Sequence, residues 1–290
     1  MSYSESILSI IMSNCKYIYN IAHRGARSLA PENTMPAFVK AWQTGAHGVE
    51  TDVSVTSDGQ LILFHDDTFI RTTDIRKIFP KRKEDPLHTF TWQEIQKLDA
   101  GSWFIEVDPF ATIKSGEVTF EEQQAMVNIS VPSLEELLLF VKQKSLFINI
   151  EIKNLPEAIA TFPIVEKVLS LLDSVQLASD MFSISSFNHL YLKKIEKLRP
   201  DIEVNALIGG YPFLINNWGN YEFAVYNADA NVIDSEQIEK ALQHGCRVNL
   251  YIVNDTQSMA RFLREGVDKI ITDYPQLLAQ LGYGAHWSQK

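Results

Sequence analysis

Cysteine is scarce in this chain, since only Cys15 and Cys246 carry a thiol among its 290 residues. A small secreted module stapled by disulfides needs more cysteines, so the sequence excludes that class. A secretory signal needs a basic segment before its apolar core, and no lysine or arginine precedes the short apolar stretch at residues 7–12. These features favour a cytoplasmic protein with an N-terminal extension at residues 1–15, and a weak export signal is the alternative.

Long apolar runs are also missing, because no uninterrupted apolar segment reaches the roughly 18 residues that a transmembrane helix requires. Lysine and arginine number 26 against 36 aspartates and glutamates, which gives a formal net charge of −10. That balance repels a polyphosphate backbone, and the densest basic cluster, Lys81–Lys83, is followed at once by Glu84 and Asp85. The composition therefore predicts neither a membrane-spanning nor a nucleic-acid-binding protein.

Short β-rich runs alternate with helical runs along most of the chain. We predict strands at Tyr17–Ala22, Val49–Val55, Leu61–Phe64, Leu146–Ile152, Met181–Ser185, Glu203–Ile208, Phe223–Asn227, Arg247–Val253 and Lys269–Thr272. We predict helices at Thr34–Thr44, Ser133–Lys144, Glu157–Leu172, Ser186–Leu198, Glu236–His244, Gln257–Glu265 and Pro275–Gln280. Such alternation is typical of βαβ units, and eight of them favour an α/β fold of the (β/α)8 TIM barrel type. An open sheet is disfavoured because no glycine-rich phosphate-binding turn is present.

The alternation breaks at about residues 68–130, where charges are scattered and Pro80, Pro86 and Pro109 occur. We predict an insertion there, with little regular structure beyond a helix at Thr91–Leu98. Its aromatic residues are expected to form a small core of their own, and a hydrophobic substrate channel or membrane-facing patch is the alternative. These aromatic residues are Phe79, Phe90, Trp92, Trp103, Phe104 and Phe110. Residues 1–290 are thus predicted to form one barrel domain with a small insertion after the second strand region.

Titratable residues recur at the ends of the predicted strands, where barrel enzymes carry their active sites. They are His23 and Arg24, Glu50 and Asp52, His65 and Asp66, Glu151 and Lys153, and Asp273. Residues two apart on a strand face the same side, so both carboxylates of the second strand can face the barrel mouth. Three carboxylates converging there need a counter-charge, and all-oxygen ligation suits Mg²⁺ or Ca²⁺.

The cationic and imidazole side chains of this set suit phosphate chemistry. Arg24 and Lys153 carry charge that fits a phosphate group, although either could instead pair with a barrel carboxylate. His23 and His65 could act as general acid and base near neutral pH. Together with a carboxylate-held cation, they indicate metal-assisted attack at phosphorus.

The chain resembles the glycerophosphodiester phosphodiesterases over about residues 20–280. The likeness rests on the order and spacing of His23-Arg24-Gly25, Pro31-Glu32-Asn33-Thr34, Glu50-Thr51-Asp52, His65-Asp66 and Glu151-Ile152-Lys153. The resemblance implies a TIM barrel and the hydrolysis of a glycerophosphodiester to glycerol 3-phosphate and an alcohol. In that reaction a neighbouring hydroxyl attacks phosphorus, and water then opens the resulting cyclic phosphate.

Carried over to this sequence, the resemblance implies a role for each matching residue. One divalent cation, Mg²⁺ or Ca²⁺, would be bound by Glu50, Asp52 and Glu151. His23 and His65 would form the acid/base pair, and Arg24 and Lys153 would contact the phosphate. Phe187 and Tyr251 are expected to line the substrate pocket, with barrel packing as the alternative, and Tyr251 replaces the usual tryptophan of the family. We expect Glu32 and Asn33 to fix the turn into the first helix and Asp273 to be structural.

Two other functions remain open at this stage. One is phospholipase D-like cleavage of lysophospholipid or sphingolipid head groups, which would require room for a long acyl chain. The other is a non-catalytic phosphate-binding barrel, which is disfavoured because both histidines and all three carboxylates are present. In either case the expected partner is a small molecule, and the sequence does not predict the oligomeric state.

Overall fold

The computed structural model describes residues 19–210 and 215–285, and in these ranges nine strands form one sheet. The strands are β1 (Tyr19–Ala22), β2 (Gly48–Val55), β3 (Leu61–Leu63), β4 (Phe147–Ile152), β5 (Phe182–Ser186), β6 (Glu203–Ile208), β7 (Val225–Asp229), β8 (Arg247–Tyr251) and β9 (Lys269–Thr272). The predicted N-terminal extension, and the start of the strand predicted from Tyr17, lie outside the described residues.

The sheet closes on itself because β1 pairs in parallel with both β9 and β2. Every neighbouring pair is parallel except β2 and β3, which form an antiparallel hairpin outside the ring. Eight parallel strands therefore make a closed barrel, as predicted. Strands β2 and β4 approach each other closely at Gly48, because an added Cβ atom there would lie 2.5 Å from the carbonyl oxygen of Phe147 on β4.

Helices connect the strands and cover the outside of the barrel. Their bounds are α1 (Met35–Gln43), α2 (Ile75–Ile78), α3 (Trp92–Ile95), α4 (Ser102–Val107), α5 (Phe120–Gln124), α6 (Leu134–Lys144), α7 (Ile164–Val175), α8 (His189–Leu198), α9 (Ser235–Gln243), α10 (Thr256–Arg264) and α11 (Pro275–Gln280). At the start of α6 the Ser133 hydroxyl accepts from the amide of Glu136, whose carboxylate accepts from the amide of Ser133. This reciprocal pair is the capping box that the sequence predicts.

Alternation along the strands separates an apolar outer face from a polar interior. On β4, Ile148 and Ile150 belong to the large buried core, which also contains residues of α6 and α7. Between them, Asn149 donates to the Ser185 hydroxyl at 2.9 Å and accepts from the Ser183 hydroxyl at 2.9 Å, both on β5. The period-2 pattern thus places polar side chains inside the barrel below its mouth.

Two helix predictions need correction. The helix predicted at Glu157–Leu172 is a short 3-10 turn at Glu157–Ile159 followed by α7, which begins only after Pro163. The proline ring disfavours helical backbone in the residue before it, so the two pieces do not join. The insertion is more regular than predicted, because α2, α4 and α5 lie in it besides the helix at Trp92–Ile95, which is shorter than predicted.

The short helices of the insertion are fixed by local end groups. The Thr119 hydroxyl accepts from the amide of Glu122, and the Thr119 amide donates to the Glu122 carboxylate, which makes a capping box at the start of α5. Asp108 adopts left-handed backbone at the end of α4, where its amide donates to the carbonyl of Phe104. Lys40 of α1 forms an ion pair with Glu122 and so joins α5 to the barrel. The helices that these contacts fix are only five or six residues long, so the hydrophobic periodicity of the sequence does not reveal them.

The six aromatic residues predicted to form a core lie in or against two buried clusters. Phe90 is the centre of the first, with its ring 5.5 Å from that of Phe69 and 5.7 Å from that of Phe79. Phe104, with Trp103 and Phe110 against it, belongs to the second cluster, which includes Leu29, Ala30 and Ala37 of the barrel. The insertion therefore has packed cores of its own, and the second is shared with the barrel.

Among the described residues, no helix combines the length and the apolar composition needed to cross a bilayer.

Replacing Phe90 by alanine should lower the free energy of unfolding by about 3–5 kcal/mol, because it empties a fully buried site. The matched control is Phe120→Ala in the same insertion, where the side chain is 68% exposed and a change within about 0.5 kcal/mol is expected. Urea unfolding followed by circular dichroism measures both. Equal losses in the two variants would contradict a packed core around Phe90.

Candidate active site

The predicted site residues meet at one end of the barrel, on or just after four strands. These strands are β1, β2, β3 and β4, and the residues are His23, Arg24, Glu50, Asp52, His65, Glu151 and Lys153. His65 reaches this end by a different route from the others. The β2–β3 hairpin turns back, and the amide of Phe64 donates to the carbonyl of Asp52, so His65 arrives beside the barrel mouth from outside the ring.

Three carboxylates form the centre of the site. Glu50, Asp52 and Glu151 each offer an oxygen, and these oxygens all lie within 4.8 Å of one another. Burial, together with the neighbouring charges of Asp52 and Glu151, raises the pKa of Glu50 well above its usual range. Three carboxylate oxygens this close together form a site that is suited to a hard divalent cation.

The two predicted phosphate-binding cations lie against these carboxylates. Arg24 Nε is 3.2 Å from Asp52 Oδ2, and the Arg24 amide donates to Glu50 Oε2 at 3.0 Å. Lys153 Nζ is 3.0 Å from Glu151 Oε1 and 3.5 Å from Asp52 Oδ1. Burial opposes ionisation of Asp52, but Arg24 and Lys153 outweigh it and hold the pKa of this carboxyl well below its usual range.

Each histidine is held through the same ring nitrogen by a carboxylate. His23 Nδ1 lies 2.7 Å from Asp273 Oδ1, and His65 Nδ1 lies 2.7 Å from Asp66 Oδ1. A carboxylate at Nδ1 keeps the proton on that nitrogen and leaves Nε2 free to exchange a proton. Burial and the charge of Arg24 lower the pKa of His23 to about 4, against the opposing effect of Asp273.

Two aromatic side chains lie beside the mouth, Phe187 just after β5 and Tyr251 at the end of β8. The rings of Phe187 and Tyr251 meet edge to face with centroids 6.3 Å apart, and Phe187 is 47% exposed. The Tyr251 hydroxyl donates to the carbonyl oxygen of Ile208 at 2.9 Å, and burial raises its pKa. The hydroxyl that distinguishes Tyr251 from a tryptophan is thus bonded to the backbone, and the ring remains available as an apolar wall.

This geometry agrees with the comparisons with known proteins. A model of the glycerophosphoryl diester phosphodiesterase family matches residues 23–277. The chain belongs to this family. A glycerophosphodiester phosphodiesterase of Caldanaerobacter subterraneus subsp. tengcongensis is 32% identical over 265 residues, which cover 90% of this chain and 96% of the relative. One from Bacillus altitudinis is 33% identical and covers 88% of this chain and 94% of its own length.

A solved structure of similar fold carries a ligand. It is an Oleispira antarctica phosphodiesterase in complex with the product sn-glycerol-3-phosphate, with a TM-score of 0.73 and 25% sequence identity. The match covers 93% of this chain and 98% of that chain. The family resemblance and the barrel fold inferred from the sequence are therefore confirmed.

The sequence did not predict the partners of the histidines. Asp273 was expected to be structural, yet it is bonded to His23, and no role was predicted for Asp66. The signals were present, because Asp66 directly follows His65 and Asp273 directly follows β9. Closure of the barrel puts β9 next to β1, and this brings the carboxylate of Asp273 to His23.

The Pro-Glu-Asn-Thr motif does more than form a turn. Asn33 has left-handed backbone, and its side chain donates to Asp52 Oδ2 at 2.9 Å and accepts from the Thr51 hydroxyl at 2.8 Å. Glu32 is buried, and its two oxygens lie within 3.0 Å of nitrogens of three arginines, which are Arg24, Arg27 and Arg71. The motif therefore bonds directly to the acidic cluster and to the cations beside it.

Glu32 should make stability depend on pH. Burial raises its pKa, but Arg71, Arg24 and Arg27 outweigh burial and lower the pKa from 4.5 to about 2. The ionised form is therefore favoured in the folded state, which corresponds to about 3 kcal/mol, present above pH about 4.5 and lost as pH falls towards 2.

The difference in unfolding free energy between the native protein and Glu32→Gln should thus be largest near pH 7 and shrink below about pH 5. Urea unfolding at pH 7, 5, 4 and 3 measures this difference. A gap that stays constant across this range would contradict the depressed pKa of Glu32.

Proposed function

We propose that this family member hydrolyses glycerophosphodiesters to glycerol 3-phosphate and an alcohol, with one divalent cation, Mg²⁺ or Ca²⁺, as cofactor. The observation that supports this most directly is the pair of histidines, each oriented through Nδ1 by a carboxylate, beside a cluster of three carboxylates. We keep the cytoplasmic location as part of the proposal, because two cysteines suit a reducing compartment.

Glu50, Asp52 and Glu151 are the proposed ligands of the cation. Their oxygens lie close together, and burial, together with the negative charges of Asp52 and Glu151, raises the pKa of Glu50. Carboxylate oxygens are the ligands that Mg²⁺ and Ca²⁺ prefer. A bound divalent cation would polarise the phosphoryl oxygens and offset the charge that develops on them.

His23 and His65 are the proposed acid/base pair. One imidazole takes the proton of the glycerol hydroxyl next to the phosphate, and this oxygen forms the new bond to phosphorus. The other gives a proton to the departing alcohol oxygen as its bond to phosphorus breaks, leaving a cyclic phosphate. Water then opens the cyclic phosphate with the two proton transfers reversed, so that glycerol 3-phosphate is released and both histidines return to their starting forms.

The remaining predicted residues would bind the substrate. Arg24 and Lys153 lie beside the carboxylate cluster and carry the charge that a phosphodiester requires. Phe187 and Tyr251 offer an apolar wall to the carbon skeleton of the glycerol or of the alcohol. Because the Tyr251 hydroxyl is bonded to Ile208, we expect it to resemble tryptophan in this role.

A second candidate function is phospholipase D-like cleavage of lysophospholipids or sphingolipids. An open surface cavity of about 400 Å³ lies beside the mouth, lined by Asn154, Phe187, Asn188, His189 and Leu190. Leu190 is 76% exposed there, so an acyl chain could contact apolar side chains outside the barrel. Release of choline from lysophosphatidylcholine, compared with hydrolysis of glycerophosphocholine, distinguishes the two functions.

The proposed function predicts release of glycerol 3-phosphate from glycerophosphocholine, its loss in EDTA, and its recovery with Mg²⁺ or Ca²⁺. Glu50→Gln should weaken cation binding by at least about tenfold, because it removes one charged ligand. The control is Asp229→Asn, a buried carboxylate at the same end of the barrel that bonds to the Gly210 amide and to Asn231. Calorimetric titration with each cation would refute the ligand assignment if both variants bind it like the native protein.

His23→Gln and His65→Gln should each lower kcat by at least about 100-fold, because glutamine cannot transfer the proton. Folding should be retained, which thermal unfolding checks. The control is His88→Gln, at a half-buried histidine of the insertion that is not among the site residues, where native activity is expected. Steady-state release of glycerol 3-phosphate measures all three, and an active His23 or His65 variant would remove that residue from the acid/base pair.

A further inference from the structure

A chain of ion pairs leads from His65 to Glu32. Asp66, which holds His65 Nδ1, also accepts from Arg71, with Nε at 2.7 Å from Oδ2 and Nη2 at 2.9 Å from Oδ1. The other edge of the same guanidinium binds Glu32, with Nη1 at 2.9 Å from Oε2 and Nη2 at 2.7 Å from Oε1. Arg71 therefore bridges two carboxylates with a fork on each side, which fixes their relative orientation.

A second chain leads from His23 to the same carboxylate. Asp273, which holds His23 Nδ1, lies 3.6 Å from Arg27 Nη1. The neighbouring nitrogen, Arg27 Nη2, lies 3.0 Å from Glu32 Oε2. Glu32 also accepts from Arg24 Nη1 at 2.8 Å, and the guanidinium of Arg24 continues to Asp52 in the acidic cluster. One buried carboxylate thus joins both histidines and the acidic cluster through three arginines.

We propose that Glu32 is a positioning residue. Through Arg71, Arg27 and Arg24, it fixes the positions of the two histidines relative to each other and to the acidic cluster. The inference rests on the proposed function, in which both histidines transfer protons in one step. Both imidazoles must then meet the same phosphodiester in the correct geometry, and a displacement of about 1 Å can cost about 100-fold in rate. A buried group with three charged partners supplies the necessary rigidity.

The insertion completes this network. Arg71 belongs to the insertion, and so does Phe110, whose ring centroid lies 5.4 Å from the Arg27 guanidinium carbon. Phe110 also packs edge to face on Tyr274, the neighbour of Asp273, at 5.7 Å. The insertion therefore contacts both chains of ion pairs, one by a guanidinium fork and the other by an aromatic ring. In this proposal, the insertion holds the ion pairs around Glu32 in place.

The first test changes Arg71 to lysine, which keeps the charge and removes the fork. We expect kcat to fall about tenfold to 100-fold and KM to change by less than about threefold, because alignment and not binding is lost. The matched control is Arg82→Lys in the same insertion. Arg82 likewise bridges two carboxylates, those of Asp85 and Glu94, but it is not part of the network, so native kinetics are expected.

The second test changes Glu32 to glutamine, with Glu203→Gln as the control. Glu203 also bridges two cations, Lys269 and Arg247, but it lies at the start of β6, where the barrel strands begin, away from the site. The double variant Glu32→Gln/Arg71→Lys should be no slower than the slower single variant, since both changes break one network. Losses that multiply would overturn the shared network.

Imidazole ¹⁵N–¹H spectra give a readout that needs no substrate. The hydrogen-bonded Nδ1–H signals of His23 and His65 should shift or broaden in Glu32→Gln, and that of His65 in Arg71→Lys, while both control variants keep the native spectrum. Native signals and native kcat in Arg71→Lys would overturn the proposal, even if Glu32→Gln fails to fold. If the native protein releases no glycerol 3-phosphate, the proposed function fails, and the spectra alone decide the positioning role.

Discussion

The mouth of this barrel depends on holding three carboxylates together against their mutual repulsion. Glu50, Asp52 and Glu151 are largely withdrawn from water, where a negative charge without compensation is costly. Arg24 and Lys153 supply part of the compensation from within the chain, and the proposed cation supplies the rest. A buried charge that loses its partner is strongly destabilising, so such a cluster requires the dense polar surroundings found here.

Closure of the barrel and one hairpin bring the histidines to this cluster by different routes. His23 follows β1, and the pairing of β1 with β9 puts Asp273 at its Nδ1 atom. His65 returns to the mouth along the antiparallel β3, with its carboxylate partner next to it in the sequence. In both cases a carboxylate binds Nδ1 of the histidine, and Nε2 remains available for proton transfer.

The structure of the insertion is more regular and more tightly packed than its sequence indicates. Its proline residues and scattered charges indicated an irregular segment, but short capped helices and a buried aromatic cluster make it a packed element. Its second cluster is shared with Leu29 and Ala37 of the barrel, so the insertion lies firmly against the segment that carries Glu32. In our proposal this packing holds Arg71 in place, which links the stability of the insertion to the geometry of the site.

Local pattern in the sequence predicted the barrel, its alternating strands and helices, and candidate residues for its mouth. Strand alternation, the i to i+2 rule and the capping box at Ser133 act between near neighbours, so the sequence displays them directly. Only the tertiary structure decided the partners of those residues. His23 and Asp273 are 250 positions apart, and Arg71 is 39 positions from Glu32. Such pairs form because barrel closure and the packed insertion bring distant backbone together, and no short-range pattern encodes that approach.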